Sequence, residues 1–155
     1  MVAIPVISAG GIASGKAMLA VFALGADAVQ IGSAFAIAEE SSAHPNFKQH
    51  VISSAEGDTK LAMKKLVPVR LLKNEFADAV AQAESEGADR LRLMELLGKA
   101  RAKLGMFEGD MINGELEIGQ VAAMLNEIKP AAKILAEIWL EFLSEKKRLA
   151  KLDFN

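Results

Sequence analysis

The chain has 155 residues, of which 52% are apolar, and it carries a formal net charge of -2. This length is enough to bury the core of one globular domain, and the small acidic charge gives no electrostatic reason to expect a nucleic-acid or anionic-membrane partner. The sequence contains no cysteine, which excludes disulfides and thiolate metal sites and agrees with a cytoplasmic location.

The composition changes once along the chain. Residues 1–38 contain only Lys16 and Asp27 as charged residues, whereas the sequence after Glu39 is rich in charge, leucine and alanine. Glycines and polar residues interrupt the first part too often for a membrane span, and its start lacks the pattern of a signal peptide. We therefore expect buried elements in the first part and surface helices after it.

A strand, a helix and a second strand are predicted at the start of the chain. The β-branched run VAIPVIS ends at Gly10–Gly11 and predicts a strand buried on both faces, as in a parallel sheet. Ser14 is the expected cap of the next helix, and Gly25 is expected to end it in the left-handed conformation. ADAVQIG predicts the second strand, which ends at Gly32. A right-handed crossover places the glycines of both strands at the same edge of the sheet.

The glycines at this edge indicate an anion site. Without a Cβ in the way, the backbone amides of both loops can approach one phosphate. A short helix starting at Ser33 would point its free amides to the same place. The loops after the last two strands of an eight-stranded α/β barrel form such a phosphate site, together with a short extra helix. The alternative is that Gly10, Gly11 and Gly32 are ordinary turn glycines.

The same stretch also matches most of a nucleotide-triphosphate loop. Gly10, Gly15 and Lys16 have the spacing of that loop, but Ala17 follows where the loop needs a hydroxyl for magnesium. We therefore expect Lys16 to lie on the solvated outer face of its helix.

The histidines and carboxylates do not predict a catalytic or metal site. His44 precedes Pro45 at the start of a predicted helix, and His50 lies on the same helix without a spacing that shows a polarising partner. Three acidic pairs lie near turns or helix ends, where carboxylates are commonly solvated: Glu39–Glu40, Glu84–Glu86 and Glu115–Glu117. No catalytic residue and no metal ligand is therefore assigned.

The remainder of the chain is predicted to be helical. Pro68 introduces VRLLKNEFADAVAQAE, which ends near Gly87, and ADRLRLMELLGKARAKLG predicts the next helix. MFEGDMINGELEIGQ is rich in turn residues and is the predicted irregular loop. A long helix follows Pro130. Its wide apolar stripe needs a cover, either a barrel wall or a second copy of the chain in a homodimer.

The segment IPVISAGGIASGKAMLAVFALGADAVQIGSAFAIAEESSAHPNFK resembles the FMN-dependent nitronate monooxygenases, long called 2-nitropropane dioxygenases. It is similar over the same stretch to the flavin-dependent enoyl-acyl-carrier-protein reductases. The family pattern is matched from Ile4 to Pro45 almost without gaps, and more weakly through PVRLLKNEF and GDMINGELEIGQVAAML. The resemblance implies an α/β fold, with the last two parallel strands of a (β/α)8 TIM barrel in residues 1–55 and a helical carboxyl-terminal segment that packs on the barrel in residues 56–155.

The resemblance also implies a cofactor, FMN, and a site for its phosphate. The phosphate would bind to main-chain amides of Gly10, Gly11, Gly32 and Ser33. Ser33 keeps the hydroxyl of the threonine that is usual in the family, whereas Ala34 replaces an arginine that is often found there. Gln30 and Gln120 would approach the flavin ring, unless they satisfy local backbone groups. The earlier strands of the family barrel, which carry the catalytic histidine, are missing, so we expect the chain to be part of a longer enzyme.

Three functions from different classes are compatible with these patterns. The first is an FMN-dependent monooxygenase that oxidises alkyl nitronates with O2 or, alternatively, a flavin-dependent reductase of enoyl thioesters; both act on small molecules. The second is an inactive half-barrel that assembles with a second copy through its strand edges. The third is a barrel enzyme that binds a phosphorylated substrate in place of flavin.

Overall fold

The computed structural model describes residues 3–153, which form an α/β fold with two separate two-stranded sheets. The elements in chain order are β1 (Ile7–Ala9), α1 (Gly15–Ala23), β2 (Ala28–Gln30), α2 (Ser33–Ala36), α3 (Pro45–Ile52), β3 (Thr59–Ala62), β4 (Val69–Leu72), α4 (Glu75–Ser85), α5 (Arg90–Leu97), a π-helical segment (Lys103–Phe107), a 3-10 helix (Gln120–Met124) and α6 (Ala131–Leu149).

The predicted strand, helix and strand at the start of the chain are confirmed, with one correction. β1 and β2 are parallel, with Ile7 opposite Ala28 and Ala9 opposite Gln30. The expectation that the first strand is buried on both faces is wrong for the described residues, because Ile7 is 60% exposed. The reason is that the described sheet has only these two strands, so both flanks of the pair are uncovered.

Both predicted ends of α1 are confirmed. The Ser14 hydroxyl accepts a hydrogen bond from the amide of Ala17 at 3.1 Å, which satisfies one of the free donors of the first turn. Gly25 follows the last turn with a φ of +100°, a conformation that glycine adopts at little cost.

Gly15 and Lys16, at the start of α1, contact the helix α6. The amide of Gly15 donates to Oε2 of Glu141 in α6 at 2.7 Å, and a Cβ on Gly15 would collide with the α6 backbone. The Lys16 side chain is 66% exposed, and its Nζ lies 3.9 Å from carboxylates of Glu141 and Glu145. The predicted outward position of Lys16 is therefore confirmed.

A hairpin stands where the sequence analysis predicted a helix. β3 and β4 are antiparallel, with Thr59 opposite Leu72. The prediction of a helix directly after Pro68 is therefore wrong. The helix α4 begins only at Glu75, where the side chain of Asn74 accepts a hydrogen bond from the amide of Ala77 at 2.8 Å.

The packing of β4 explains this difference. Leu71 and Leu72 are neighbours in the strand and are each 1% exposed, but they belong to different clusters. Leu72 packs with Phe47 and Leu116, whereas Leu71 packs with Phe76 and other residues from the hairpin, α4 and α5. Successive side chains point to opposite faces only in a strand, so burial on both sides selects a strand over the helix.

The next predicted helix is shorter than expected. α5 ends at Leu97, because Gly98 takes a φ of +65°, and the chain becomes helical again at Arg101, just before the π-helical segment. The irregular loop and the long helix after Pro130 are confirmed. Ile134 and Ile138 of α6 form a third cluster with Ala34 and neighbouring residues. Among the described helices, none has the length and the apolar character needed to cross a bilayer.

Candidate functional site

The two glycine loops lie at one edge of the parallel sheet. Gly10–Gly11 and Gly32–Ser33 follow Ala9 and Gln30, which are paired in register. Parallel strands end at the same edge, so the structure brings together the four residues that the sequence assigned to the phosphate site. α2 begins at Ser33, as predicted, although it is only 4 residues long.

The first loop has a conformation and an openness that suit an anion. Gly10 and Gly11 have φ values of +89° and +71°, which disfavour any residue with a side chain. A Cβ at either position would meet no atom within 4 Å. Gly32 is equally open, but its φ of -103° is ordinary. Glycine is therefore required by the backbone conformation at the first loop only.

The donors of both loops are unpaired within the described chain. The amides of Gly10, Gly11, Gly32 and Ser33 form no hydrogen bond with another residue among residues 3–153. Three of these residues are exposed and Ser33 is half-buried, so these amides need no protein partner. Such a group of free N–H donors has the chemistry that binds a phosphate.

A third segment reaches this edge from a distant part of the sequence. The Ser33 hydroxyl accepts a hydrogen bond from the amide of Gly119 at 3.1 Å. Gln120, at the start of the 3-10 helix, therefore directly follows a residue that is bonded to the second glycine loop. The family resemblance implied only that Ser33 keeps a hydroxyl group at this position. In the structure this hydroxyl accepts from Gly119, and its proton remains available to another acceptor.

A shallow cleft of about 460 Å3 begins at the second loop. Its wall includes Gly32, Ser33, Gly119 and Arg70 of β4. Arg70 was not predicted as a site residue, because its segment was predicted to be helical, whereas it lies in the strand β4.

A second cleft of about 530 Å3 shares Arg70 with the first. Thr59, Gln120 and Met124 also contribute to its wall. Nη1 of Arg70 donates to the carbonyl of Thr59 at 3.1 Å and to its hydroxyl at 3.2 Å. Both bonds use the same nitrogen, so they anchor one end of the guanidinium. Gln30, the other predicted glutamine, ends β2 and is exposed.

Both histidines have structural contacts, in line with the sequence analysis. Nδ1 of His44 accepts a hydrogen bond from the amide of Asn46 at 3.1 Å and caps α3. The ring lies against Gly109, where a Cβ would collide with it. Nε2 of His50 lies 3.2 Å from the carbonyl of Lys73.

One acidic pair differs from the expectation of solvated carboxylates. Glu115 is only 7% exposed. Burial raises the pKa of its carboxyl group, and the negative charge of Glu117 raises it further, whereas Arg101 lowers it. The expectation is wrong here because the 108–119 loop folds into the protein, so that Glu115 sits between the buried residues Gly114 and Leu116. Within residues 3–153, His, Asp and Glu side chains form no group of three or more that would hold a metal ion.

Comparison with known proteins identifies the family. The model of the family described as nitronate monooxygenase matches residues 1–141. The chain belongs to the nitronate monooxygenase family. Two curated family members, both described as probable nitronate monooxygenases, illustrate the similarity. One from Bacillus subtilis is 52% identical over 58 residues, 37% of this chain and 17% of that protein. One from Staphylococcus aureus is 37% identical over 111 residues, 68% of this chain and 31% of that protein.

Solved structures show the same relationship for almost the whole chain. FabK from Thermotoga maritima matches with a TM-score of 0.88 and 38% identity, over 96% of this chain and 47% of that one. A nitroalkane oxidase from Streptomyces ansochromogenes matches with a TM-score of 0.75 and 31% identity, over 96% of this chain and 42% of that one. The chain thus spans less than half the length of these relatives and structural neighbours.

Proposed function

We propose that the chain forms the phosphate-binding part of an FMN-dependent nitronate monooxygenase, which oxidises alkyl nitronates with O2. Membership of the nitronate monooxygenase family supports an oxidoreductase of this type. The observation that carries the proposal is the group of unpaired backbone amides at two neighbouring strand ends. When bound, the flavin supplies the redox chemistry, and the protein supplies position and electrostatics.

The residues at the site fit the phosphate of FMN. Gly10 and Gly11 present two successive amides without side chains, and Gly32 and Ser33 add two more from the next strand. Neutral N–H donors bind a phosphate through hydrogen bonds and do not require a lysine. The position of Lys16 agrees with this proposal, because its ammonium group lies near the carboxylates of α6.

β1 and β2 are proposed to be the last two strands of a (β/α)8 barrel, within residues 1–55. Their parallel pairing and their uncovered flanks favour this arrangement, because further strands would pair on both sides. Residues 56–155 would then pack on the barrel, and α6 already contacts α1 through Gly15 and Glu141. This second part contains the β3–β4 hairpin in addition to helices.

A flavin-dependent enoyl-acyl-carrier-protein reductase is the second candidate. The likeness to FabK, with a TM-score of 0.88, favours it. The proposed phosphate site would serve either enzyme, and the match to the nitronate monooxygenase family model favours the monooxygenase. Nitrite release from an alkyl nitronate in the presence of O2 distinguishes the monooxygenase from a reductase, which would consume a reduced pyridine nucleotide with an enoyl thioester.

Flavin content of two matched glycine variants tests the site. Gly11→Val should reduce the FMN released per chain on denaturation by at least about tenfold, because the side chain blocks the approach of the phosphate to the amide. The control is Gly87→Val between α4 and α5. Gly87 also has a positive φ, +87°, and open space around it, so this substitution imposes similar backbone strain far from the loops.

The outcomes separate the site from general destabilisation. Equal loss of flavin in both variants would assign the effect to strain, and normal flavin in Gly11→Val would overturn the placement of the phosphate. Lys16→Ala should keep its flavin. Loss of flavin in that variant would restore the lysine-dependent loop as the binding element.

A further inference from the structure

Arg70 is the cationic residue in the wall of the cleft next to the proposed phosphate loops, and its guanidinium is bonded to Thr59 in the wall of the second cleft. Arg70 lines the same cleft of about 460 Å3 as Gly32, Ser33 and Gly119. Its backbone is fixed, because Arg70 lies in β4 opposite Leu61 and its carbonyl accepts a hydrogen bond from the amide of Ile118 at 3.2 Å. The side chain therefore starts from a rigid strand beside the loop.

The guanidinium of Arg70 is anchored but not neutralised. Nη1 donates both of its hydrogen bonds to Thr59, to the carbonyl at 3.1 Å and the hydroxyl at 3.2 Å. Within residues 3–153, no carboxylate lies within 4.0 Å of the group, and Nε and Nη2 have no protein acceptor. An arginine held at one nitrogen keeps its other donors in a fixed plane, which suits a phosphate oxygen.

The other cation near the loops is already used. Lys16 follows the first glycine loop in sequence, but its Nζ lies 3.9 Å from both Glu141 and Glu145. Glu117 belongs to the same cleft as Arg70. Glu117 pairs with Leu71 in a β-bridge, so the side chains of these two residues point to the same face. Arg70 precedes Leu71 in the strand and therefore points to the opposite face from Glu117. Arg70 is thus the cation that the cleft offers to an anion.

We propose that the guanidinium of Arg70 contacts the phosphate of the flavin and supplies the positive charge that the backbone amides lack. This inference rests on the proposed function. It adds to the phosphate site one residue, Arg70, which lies in β4 rather than in the two glycine loops. Thr59 would act as a positioning residue, because it holds the guanidinium without facing the phosphate loops.

Paired titrations of FMN and riboflavin test this role, since riboflavin lacks the phosphate. The apoprotein of the longer enzyme that the proposed function requires, with residues 1–155 as its carboxyl-terminal part, is titrated with each flavin, and binding is followed by fluorescence quenching. Arg70→Ala should weaken FMN about tenfold to a hundredfold, as expected for loss of a charged hydrogen bond, and leave riboflavin unchanged. Arg70→Gln keeps a donor for Thr59 without the charge and should behave similarly. Thr59→Val should show a smaller loss for FMN alone.

A charge-matched control excludes a general electrostatic effect. Arg92→Ala removes a guanidinium that pairs with Glu95 at 3.4 Å on the exposed face of α5, and both flavins should bind it as they bind the unchanged protein. Equal weakening of FMN and riboflavin by Arg70→Ala, or no weakening of either, would overturn the role of Arg70. If the unchanged protein binds neither flavin, the proposed function itself fails. If it binds both equally, the phosphate site fails and Arg70 with it.

Discussion

The amide of Gly119 donates a hydrogen bond to the hydroxyl of Ser33 at 3.1 Å, although 86 positions separate the two residues. The approach is close, because a Cβ on Gly119 would lie 2.8 Å from the same oxygen. This bond joins the end of β2 to the irregular loop that precedes Gln120. It therefore fixes the distance between the proposed phosphate loops and one of the two predicted flavin-facing glutamines.

Removal of the Ser33 hydroxyl should separate these two segments. Ser33→Ala leaves the half-buried amide of Gly119 without its acceptor, which should lower the free energy of unfolding by about 1 kcal/mol. Ser33→Thr keeps the oxygen and should retain most of the stability. Urea denaturation of both variants measures the difference. Identical midpoints for Ala and Thr would mean that the bond contributes nothing to holding the loop.

Substitution of Gly15 should disrupt the contact between α1 and α6. In Gly15→Ala, the new methyl group meets backbone atoms of Ile138, Glu141 and Phe142, which cannot rotate away. Such overpacking should cost about 1–3 kcal/mol.

Gly32→Ala is the control for the glycine substitution, because a Cβ there meets nothing within 4 Å and φ is -103°. Thermal unfolding should show a clear loss for Gly15→Ala and a change within about 0.5 kcal/mol for Gly32→Ala. Equal stability of the two variants would contradict the close packing of α6 on Gly15.

Local signals in the sequence were sufficient for the first part of the fold. Ser14 and Gly25 are residues with strong preferences for the two ends of a helix, and the strands on either side end at glycines. The parallel pairing follows from the short crossover. The burial of the first strand on both faces was predicted wrongly. Its apolar run is typical of a strand inside a larger sheet, whereas the described sheet contains only two strands.

The hairpin and Arg70 required information that is not local. VRLL has no clear period of its own, and only the clusters on both sides of β4 decide that Leu71 and Leu72 point to opposite faces. Once β4 is a strand, Arg70 lines the cleft that begins at Gly32 and Ser33. The hydrogen bond between Gly119 and Ser33 could not be predicted either, because nothing in the loop sequence specifies that the Gly119 amide meets Ser33.

Lys48 should be important for stability although it is a charged residue. It is 6% exposed, and its Nζ donates to the carbonyls of Ala38, Glu39 and Ser41 at 2.6, 3.1 and 2.9 Å. Lys48→Met fills the same space but leaves three carbonyls without this donor, and it should cost about 3 kcal/mol.

The exposed Lys99 offers a matched control for Lys48. Lys99→Met removes the same charge and should change the free energy of unfolding by less than about 0.5 kcal/mol. Guanidinium denaturation of both variants measures the two costs. A similar small effect for Lys48→Met would show that the three carbonyls are satisfied by water when the ammonium is absent.

Glu115 should make stability depend on pH. Burial raises the pKa of its carboxyl group in the folded protein, so the folded state holds the proton at pH values where the unfolded chain has released it. The stabilising contribution of the group is complete below its unfolded pKa and is lost as pH rises through the raised folded pKa. At pH 7, where the unfolded chain has released this proton, Glu115 therefore opposes folding.

A neutral side chain at this position should remove the effect. Glu115→Gln should unfold at a higher temperature than the unchanged protein at pH 7, and the difference should disappear as pH falls below about 4, where both side chains are uncharged. Melting temperatures measured between about pH 3.5 and pH 8 give the comparison. Glu56→Gln, at an exposed position, should show no such trend. A stabilisation by Glu115→Gln that persists at the acidic end would mean that shape or hydrogen bonding, rather than the charge of Glu115, determines its cost.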